Sequence, residues 1–288
     1  MVVVTFNALP WVERCLESVR GVETVVVDNG SSDGTVAFVR DRFPDVIVVE
    51  QENRGLAHGW NTGLARTSCR YVLLLNADAW LDTGAVDALV GFADAHPDAA
   101  VVGPRLRNPN GTLQRSVRGF PTLWRLATEY FFLRKLAPGS RALNAFYAGD
   151  FAHDQVHEAE FLMGAALLVR REAVEQVGPA DEAFFLFSEE TDWCYRFLQA
   201  GWKVFFYPGA GATHMLGASH GGRHFREQVR GHLRFLAKHR GERYAERARL
   251  LLLVALRVRG SLFRGERGRA YRATAAWLAS GRVGELLA

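Results

Sequence analysis

Short apolar runs and helix-period segments take turns along the first third of this 288-residue chain. "VVVTF" at its start, "TVVVD" at 24–28, "VIVVE" at 46–50, "YVLLL" at 71–75 and "AVVGP" at 100–104 are β-branched or continuously apolar. Such runs suit strands covered on both faces. Between them, Leu9 to Val19, Thr35 to Phe43, Leu56 to Arg66 and Ala85 to Ala95 carry apolar residues at helix spacing, with Val12, Cys15, Leu16 and Val19 on one stripe. The alternation predicts an α/β fold, a mostly parallel sheet flanked by helices.

After Pro104 the pattern loosens. Polar turns ("RNPNGTLQRS") lead to an aromatic helix-like piece from Leu123 to Leu136 and a Gly-, Asn- and Asp-rich loop up to about His157. Strand-like "EFLMGAALLV", a helix from about Thr191 to Ala200 and strand-like "KVFFYP" follow. No repeat interrupts this order, so residues 1–105 and 106–222 are expected to share one domain, followed by a basic helical region over 223–288.

Composition and charge change the picture in one respect. With 49% hydrophobic and 23% charged residues the chain is ordinary globular material. Its net charge of +4 hides an asymmetry: residues 223–288 hold 16 Lys and Arg against 5 Asp and Glu, while residues 1–222 hold 19 against 26. Within the tail, Arg226, Arg230, Arg234 and Lys238 recur every four residues. Packing of that stripe on the domain is the first expectation, and peripheral contact with an anionic membrane is the second. No nucleic-acid recognition module accompanies the charge. Cys15, Cys69 and Cys194 are too scattered for a disulfide framework or a zinc site, which fits a cytoplasmic setting, on the inner face of the membrane if the tail binds there. The longest apolar stretch, Leu250 to Leu256, is far short of a membrane span.

Candidate chemistry gathers where strands end, the place at which open parallel sheets bind ligands. The first strand ends in Thr5 and Asn7, the second in Asp28 before a Gly- and Ser-rich turn, and the fourth in Asn76-Ala77-Asp78. Each alone reads most simply as a turn or helix cap. Together they suggest a nucleotide held by carboxylates and a hard divalent cation, because no glycine-rich phosphate cradle is present. Farther on, Glu189, Glu190 and Asp192 open a helix in an aromatic setting, where a carboxylate can be tuned as a general base. His214 follows a strand among small residues and pairs with Asp78 as a candidate metal ligand.

In order and spacing, "VVTFN", "DNGSSDGT", "NRGLAHGWNTGL", "LLLNADAW", "NGTLQRSVRGFPTL", "FSEETDWCYR" and "THMLGAS" resemble family 2 glycosyltransferases of the GT-A fold, and among these the bacterial rhamnosyltransferase-like group. The resemblance implies that Thr5, Asn7 and Asp28 hold the nucleoside and that Asn53, Gly55 and Asn61 shape the donor site. Asn76 and Asp78 match the family's D-x-D motif, with Asp78 the retained chelator of Mg²⁺ or Mn²⁺ and Asn76 a departure. Glu190 stands at the general base, and His214 matches the histidine of the metal and diphosphate site. Residues 1–105 then become the nucleotide half and 106–222 the acceptor half. A nucleotide-sugar donor (dTDP-rhamnose or a UDP-sugar) and a glycan or polyprenyl-diphosphate-linked acceptor in cell-surface polysaccharide synthesis are the implied partners. A sugar-nucleotide pyrophosphorylase would carry a glycine-rich basic signature that "MVVVTFNALPWVERC" lacks, and a non-catalytic binding module would have no use for a base.

Overall fold

A computed structural model describes residues 1–215 and 225–288. The expected domain boundary after Gly222 and the last four residues of "THMLGAS" fall outside the described residues. The chain opens with β1 (Val2–Thr5), α1 (Leu9–Glu17), β2 (Val25–Asp28), α2 (Thr35–Arg42), β3 (Ile47–Glu50), α3 (Leu56–Leu64) and β4 (Tyr71–Asn76). β5 (Ala79–Leu81), α4 (Ala85–Ala95) and β6 (Ala99–Arg107) complete the first part. Pro10 in the first turn of α1 gives up an N–H that has no helical partner there.

The second part adds β7 (Leu113–Gln114), β8 (Val117–Arg118), α5 (Leu123–Tyr130), a 3-10 turn at Ala145–Tyr147, β9 (His157–Glu158), β10 (Phe161–Leu162) and β11 (Ala166–Arg170). α6 (Arg171–Val177), α7 (Glu189–Gln199) and β12 (Lys203–His214) follow. The helix expected to run to Leu136 stops at Tyr130, because Phe132 turns left-handed at φ 61°. The run read as one strand, 160–169, is two: β10 pairs with β8, and β11 joins the main sheet. The break lies at Gly164, where a Cβ would stand 3.3 Å from the Trp60 ring.

The main sheet runs β3-β2-β1-β4-β11-β6-β12-β5. β1, β2, β3 and β4 are parallel, β11 is antiparallel to both β4 and β6, and β12 is parallel to β6. Alternate residues face opposite layers, as strand geometry demands. Val3, Val26, Leu73 and Leu75 pack with Val12, Leu16, Val39 and Leu89 of α1, α2 and α4. Val2, Val25, Val72 and Leu74 pack with Trp60, Ala173, Trp193 and Phe197 of α3, α6 and α7. Thr5 pairs with Asp28 and Val4 with Asn76, so three strand ends lie side by side.

The C-terminal region comprises α8 (Phe225–Arg240), α9 (Glu242–Leu262), α10 (Gly265–Ala279) and α11 (Val283–Leu287). They share a third core with α5 and Phe184, in which Val229, Leu233, Leu252 and Leu256 are fully buried. Three of the four cations in the stripe of α8 are used internally, while Arg226 stays largely exposed. Arg230 and Arg234 donate to the Leu286 and Leu287 carbonyls, and Lys238 lies 2.6 Å from Asp181 and 2.8 Å from Asp192.

Candidate active site

A cavity of about 490 Å³ opens beyond the ends of β1 and β4. Thr5, Asn29, Asn53, Gly55, Asn76, Asp78, Glu189, Glu190 and His214 all line it. Asn7, Asp28, Asn61 and Asp192 do not border it; each braces a neighbour. Asp28 Oδ1 accepts from the Gly30 and Ser31 N–H groups at 3.0 and 2.7 Å, and its Oδ2 accepts from Thr5 Oγ1 at 2.7 Å and from Ser31 Oγ. The carboxylate expected to meet a nucleoside thus shapes the turn, and Asn29 beside it faces the cavity. Asn7, at φ 50°, accepts from the Ser32 N–H at 2.9 Å. Asn61 exchanges hydrogen bonds with the backbone of Ala180 at 2.9 and 3.0 Å, fixing the start of the acidic loop.

Gly55 brings the two halves into contact. Its φ is +100°, and a Cβ there would lie 2.3 Å from the Phe185 carbonyl oxygen. Leu56 N–H donates to that same oxygen at 2.9 Å. Any side chain at 55 would force the acidic loop away from α3.

At the β4 end, Asp78 is 2% exposed and its Oδ2 has no hydrogen-bond partner. His214 Nε2 lies 3.4 Å from Asp78 Oδ1. The other ring nitrogen, Nδ1, is 2.8 Å from Gln114 Oε1, while Gln114 Nε2 donates to the Asn108 side chain and the His214 carbonyl. Those two bonds fix the amide so that Oε1 accepts, which makes Nδ1 the protonated nitrogen of the neutral ring. Nε2 then presents a lone pair toward a carboxylate with an unsatisfied oxygen. An imidazole oriented by a second amide, beside a buried carboxylate, suits a divalent cation. Among the described residues two such ligands meet here, and no cluster of three His, Cys, Asp or Glu ligands exists. Gln114 was not singled out in the sequence, although it lies in the quoted "NGTLQRS" segment.

The acidic helix is presented under strain. Phe187 and Ser188 stand at φ 68° and 74°, left-handed values that cost about 1–3 kcal/mol each for such residues. Glu189 and Glu190 follow, each with one buried oxygen that has no partner. Burial, and for Glu189 the adjacent Glu190 charge, holds Glu189 well above the usual carboxylate range. Burial raises Glu190 as well. Two neighbouring carboxyl groups whose protonated forms burial favours, beside a cavity, are suited to taking up a proton. Asp192 is the opposite case. Burial alone would raise it, but His239 at 2.7 Å, Lys238 and Arg196 outweigh that and hold it low.

The far wall comes from residues that the sequence did not single out. Arg118, the 3-10 turn with Phe146 and Tyr147, and Gln228 and His232 of α8 all line the cavity. α8 reaches it because residue 231 is glycine: a Cβ there would lie 2.7 Å from the Phe187 carbonyl oxygen. The C-terminal region therefore closes the site.

The family model for glycosyl transferase family 2 matches residues 1–178. An N-acetylglucosaminyl-diphospho-decaprenol L-rhamnosyltransferase of Mycobacterium tuberculosis is 31% identical, over 93% of this chain and 95% of that one. Among solved structures, a mannosyltransferase from Pyrobaculum calidifontis in complex with GDP-Man and Mn²⁺ superposes with a TM-score of 0.59 at 19% identity, over 99% of this chain and 77% of that one. GalNAc-T7 with UDP, GalNAc and Mn²⁺ gives 0.59 at 16% identity, over 82% and 47%. These structural likenesses speak to the GT-A-like fold alone. A family model spanning more than half of the chain, joined by a relative of that identity along nearly its whole length, makes this protein a glycosyltransferase of family 2.

Proposed function

We propose that the protein is an inverting, divalent-metal-dependent glycosyltransferase that moves L-rhamnose from dTDP-L-rhamnose to a polyprenyl-diphosphate-linked glycan in cell-surface polysaccharide synthesis. One observation carries the reading: Glu189 and Glu190, each with a buried oxygen that has no partner, share a single cavity with the Asp78–His214 pair. A base and a cation site in one chamber are what a single displacement at an anomeric carbon requires. The choice of donor and lipid-linked acceptor follows the mycobacterial relative's name.

In this reading the nucleoside lies against Thr5, Asn29 and Asn53. Asp78 and His214 would hold Mg²⁺ or Mn²⁺, which when bound neutralises charge on the departing nucleoside diphosphate. Asn76, in place of the first carboxylate of the motif, offers a neutral amide to ribose or to water. Glu190 accepts the proton of an acceptor hydroxyl as its oxygen bonds to the anomeric carbon and the carbon–diphosphate bond breaks. The Phe146, Phe161 and Phe185 side chains exclude water, which would compete as acceptor. Purified protein with a panel of dTDP-, UDP- and GDP-sugars, with and without Mg²⁺ or Mn²⁺ and a prenyl-diphosphate acceptor, tests the reading by nucleoside diphosphate release. Donor consumption under no combination would refute it.

The acceptor class calls for a lipid surface, and α9 offers one. Leu250, Val254, Val258 and Leu262 recur every four residues along it and are 49%, 54%, 44% and 68% exposed. Exposed Arg243, Arg247 and Arg257 flank that stripe. An apolar ridge edged by arginines complements an anionic bilayer, each cation adding about 1 kcal/mol near such a surface. α5 connects this ridge to the cavity: Tyr244 and Arg259 of α9 bond the Leu123 N–H and the Tyr130 carbonyl, and α5 contacts the 3-10 turn that lines the cavity. Peripheral contact is thus proposed for α9, since α8 spends most of its stripe within the protein. No described helix is long and apolar enough to cross a membrane.

A further inference from the structure

Arg118 is the unexplained charge of the cavity. It ends β8 opposite Phe161 of β10, and β10 leads to Gly164, whose Cβ position lies 3.8 Å from Glu190 Cβ. The guanidinium stacks 4.2 Å from the Tyr147 ring centre, and Nη1 is buried without a hydrogen-bond partner. A guanidinium keeps its charge at any working pH, so burial cannot be relieved by losing a proton. Among the described residues no carboxylate forms an ion pair with it, although the charges of Glu129 and Glu190 act on it from farther off. Glu129 is engaged by Arg134 and faces Arg259 at 3.9 Å. Glu190 has its own unpartnered oxygen and no ion pair to Arg118. Close by in the same wall, His232 is 6% exposed with Nδ1 unpartnered, and burial pushes its pKa down to about 4, so the ring is neutral at pH 7.

A guanidinium with a buried, unbonded Nη1 and a neutral imidazole that can donate from an unbonded Nδ1–H, both lining one chamber, match the oxygens of a phosphate. Which phosphate they meet follows from the stereochemistry. The leaving diphosphate departs on the Asp78–His214 side, and the base stands on the opposite face of the anomeric carbon. Arg118 lies on the strand pair that passes Glu190, hence on the acceptor's side.

We propose that Arg118, assisted by His232 Nδ1, binds the phosphate attached to the first sugar of the acceptor, and so sets the attacking hydroxyl, on the same sugar ring, at Glu190. This deepens the functional reading above and rests on it. It makes Arg118 a substrate-binding residue that selects phosphate-linked acceptors over neutral glycosides of the same sugar.

The test compares two acceptors, N-acetylglucosaminyl diphosphate on a short prenyl chain and an octyl glycoside of N-acetylglucosamine, in wild type, Arg118→Gln, Arg118→Lys and His232→Phe. The wild-type preference in kcat/KM for the phosphorylated acceptor is expected to collapse by about ten- to a hundredfold in Arg118→Gln, through acceptor KM, and in part in His232→Phe. Arg118→Lys should retain part of it, and circular dichroism should show each variant folded. Equal losses on both acceptors, or a rise confined to donor KM, would overturn the assignment; the second would place the guanidinium on the donor diphosphate. Calorimetric binding of the same prenyl diphosphate acceptor without donor judges Arg118 independently of turnover. Equal affinity in wild type and Arg118→Gln refutes the subsite, whereas a wild type that binds the acceptor yet consumes no donor refutes the catalytic reading instead.

Discussion

His239 Nε2 lies 2.7 Å from Asp192 Oδ1, so the C-terminal region is bonded to the very helix that presents Glu189 and Glu190. Asp192 is fully buried, and removing the partners of a buried carboxylate leaves its charge uncompensated. Lys238→Ala with His239→Ala is therefore expected to cost about 3 kcal/mol at pH 7 by denaturant unfolding. The folded carboxyl is held low, so its stabilisation is complete above the unfolded value of about 3.9 and is lost as pH falls through the folded one. The gap between wild type and variant should shrink at pH 3; an unchanged gap would mean the tether does not depend on the Asp192 charge.

Gly231 makes the same connection sterically. Gly231→Val would push α8 off Phe187 and Ser188 and withdraw His232 and Gln228 from the cavity. Turnover should fall at least tenfold while helical content by circular dichroism is kept. Normal activity in this variant would show that the tail is dispensable to the site.

Glu190→Gln should lower kcat by about 10²- to 10⁴-fold, the usual contribution of a general base. It should also stabilise the protein. A carboxyl raised above its unfolded value of about 4.3 binds more protons when folded, so stability declines as pH rises from there through the folded pKa. Above that window the variant's melting temperature should exceed the wild type's, and at pH 4 the two should converge. A lower melting temperature at pH 8 would contradict the burial assigned to Glu190.

Asp78→Asn should abolish metal-dependent turnover, whereas Asn76→Asp leaves it intact or improves it. Gln114→Leu, which frees His214 Nδ1, should weaken Mn²⁺ affinity about 10- to 100-fold as read by metal titration of activity. Equal metal dependence in Asp78→Asn would remove the proposed chelator.

Flotation with vesicles should recover the protein with anionic phospholipid and leave it behind with phosphatidylcholine alone, and salt should release it. Val254→Glu with Val258→Glu should abolish flotation while a short-chain acceptor is still turned over. Undiminished flotation would move the membrane face elsewhere.

The first half of the fold was legible because β1, β2 and β4 are covered on both faces and write continuous apolar runs, and β3, a partly exposed edge strand, is still β-branched; α4 was read at its observed bounds, Ala85–Ala95. β5, with three residues, is too short to print a period. Asn76 and Asp78 at the β4 end, and Glu189 and Glu190 at a helix start, were visible because strand and helix ends announce themselves. The far wall was not. Arg118 sits on a two-residue strand, and His232 lies in a helix whose period reports burial without saying what it is buried against. That the cationic stripe of α8 packs within the protein was the first expectation, but its partners, Asp181, Asp192 and the carbonyls of α11, lie some 40 to 60 residues away and could not be named from the stripe itself.

The anomeric configuration of the transferred sugar tests the central claim most directly. Wild-type protein, dTDP-L-rhamnose, Mg²⁺ and a prenyl-diphosphate-linked N-acetylglucosamine acceptor would be followed by proton NMR. Single displacement with Glu190 as base predicts one rhamnosyl linkage per dTDP released, with configuration opposite to that of the donor, and no product in Glu190→Gln. Retained configuration, or a Glu190→Gln variant that transfers at the wild-type rate, would contradict it.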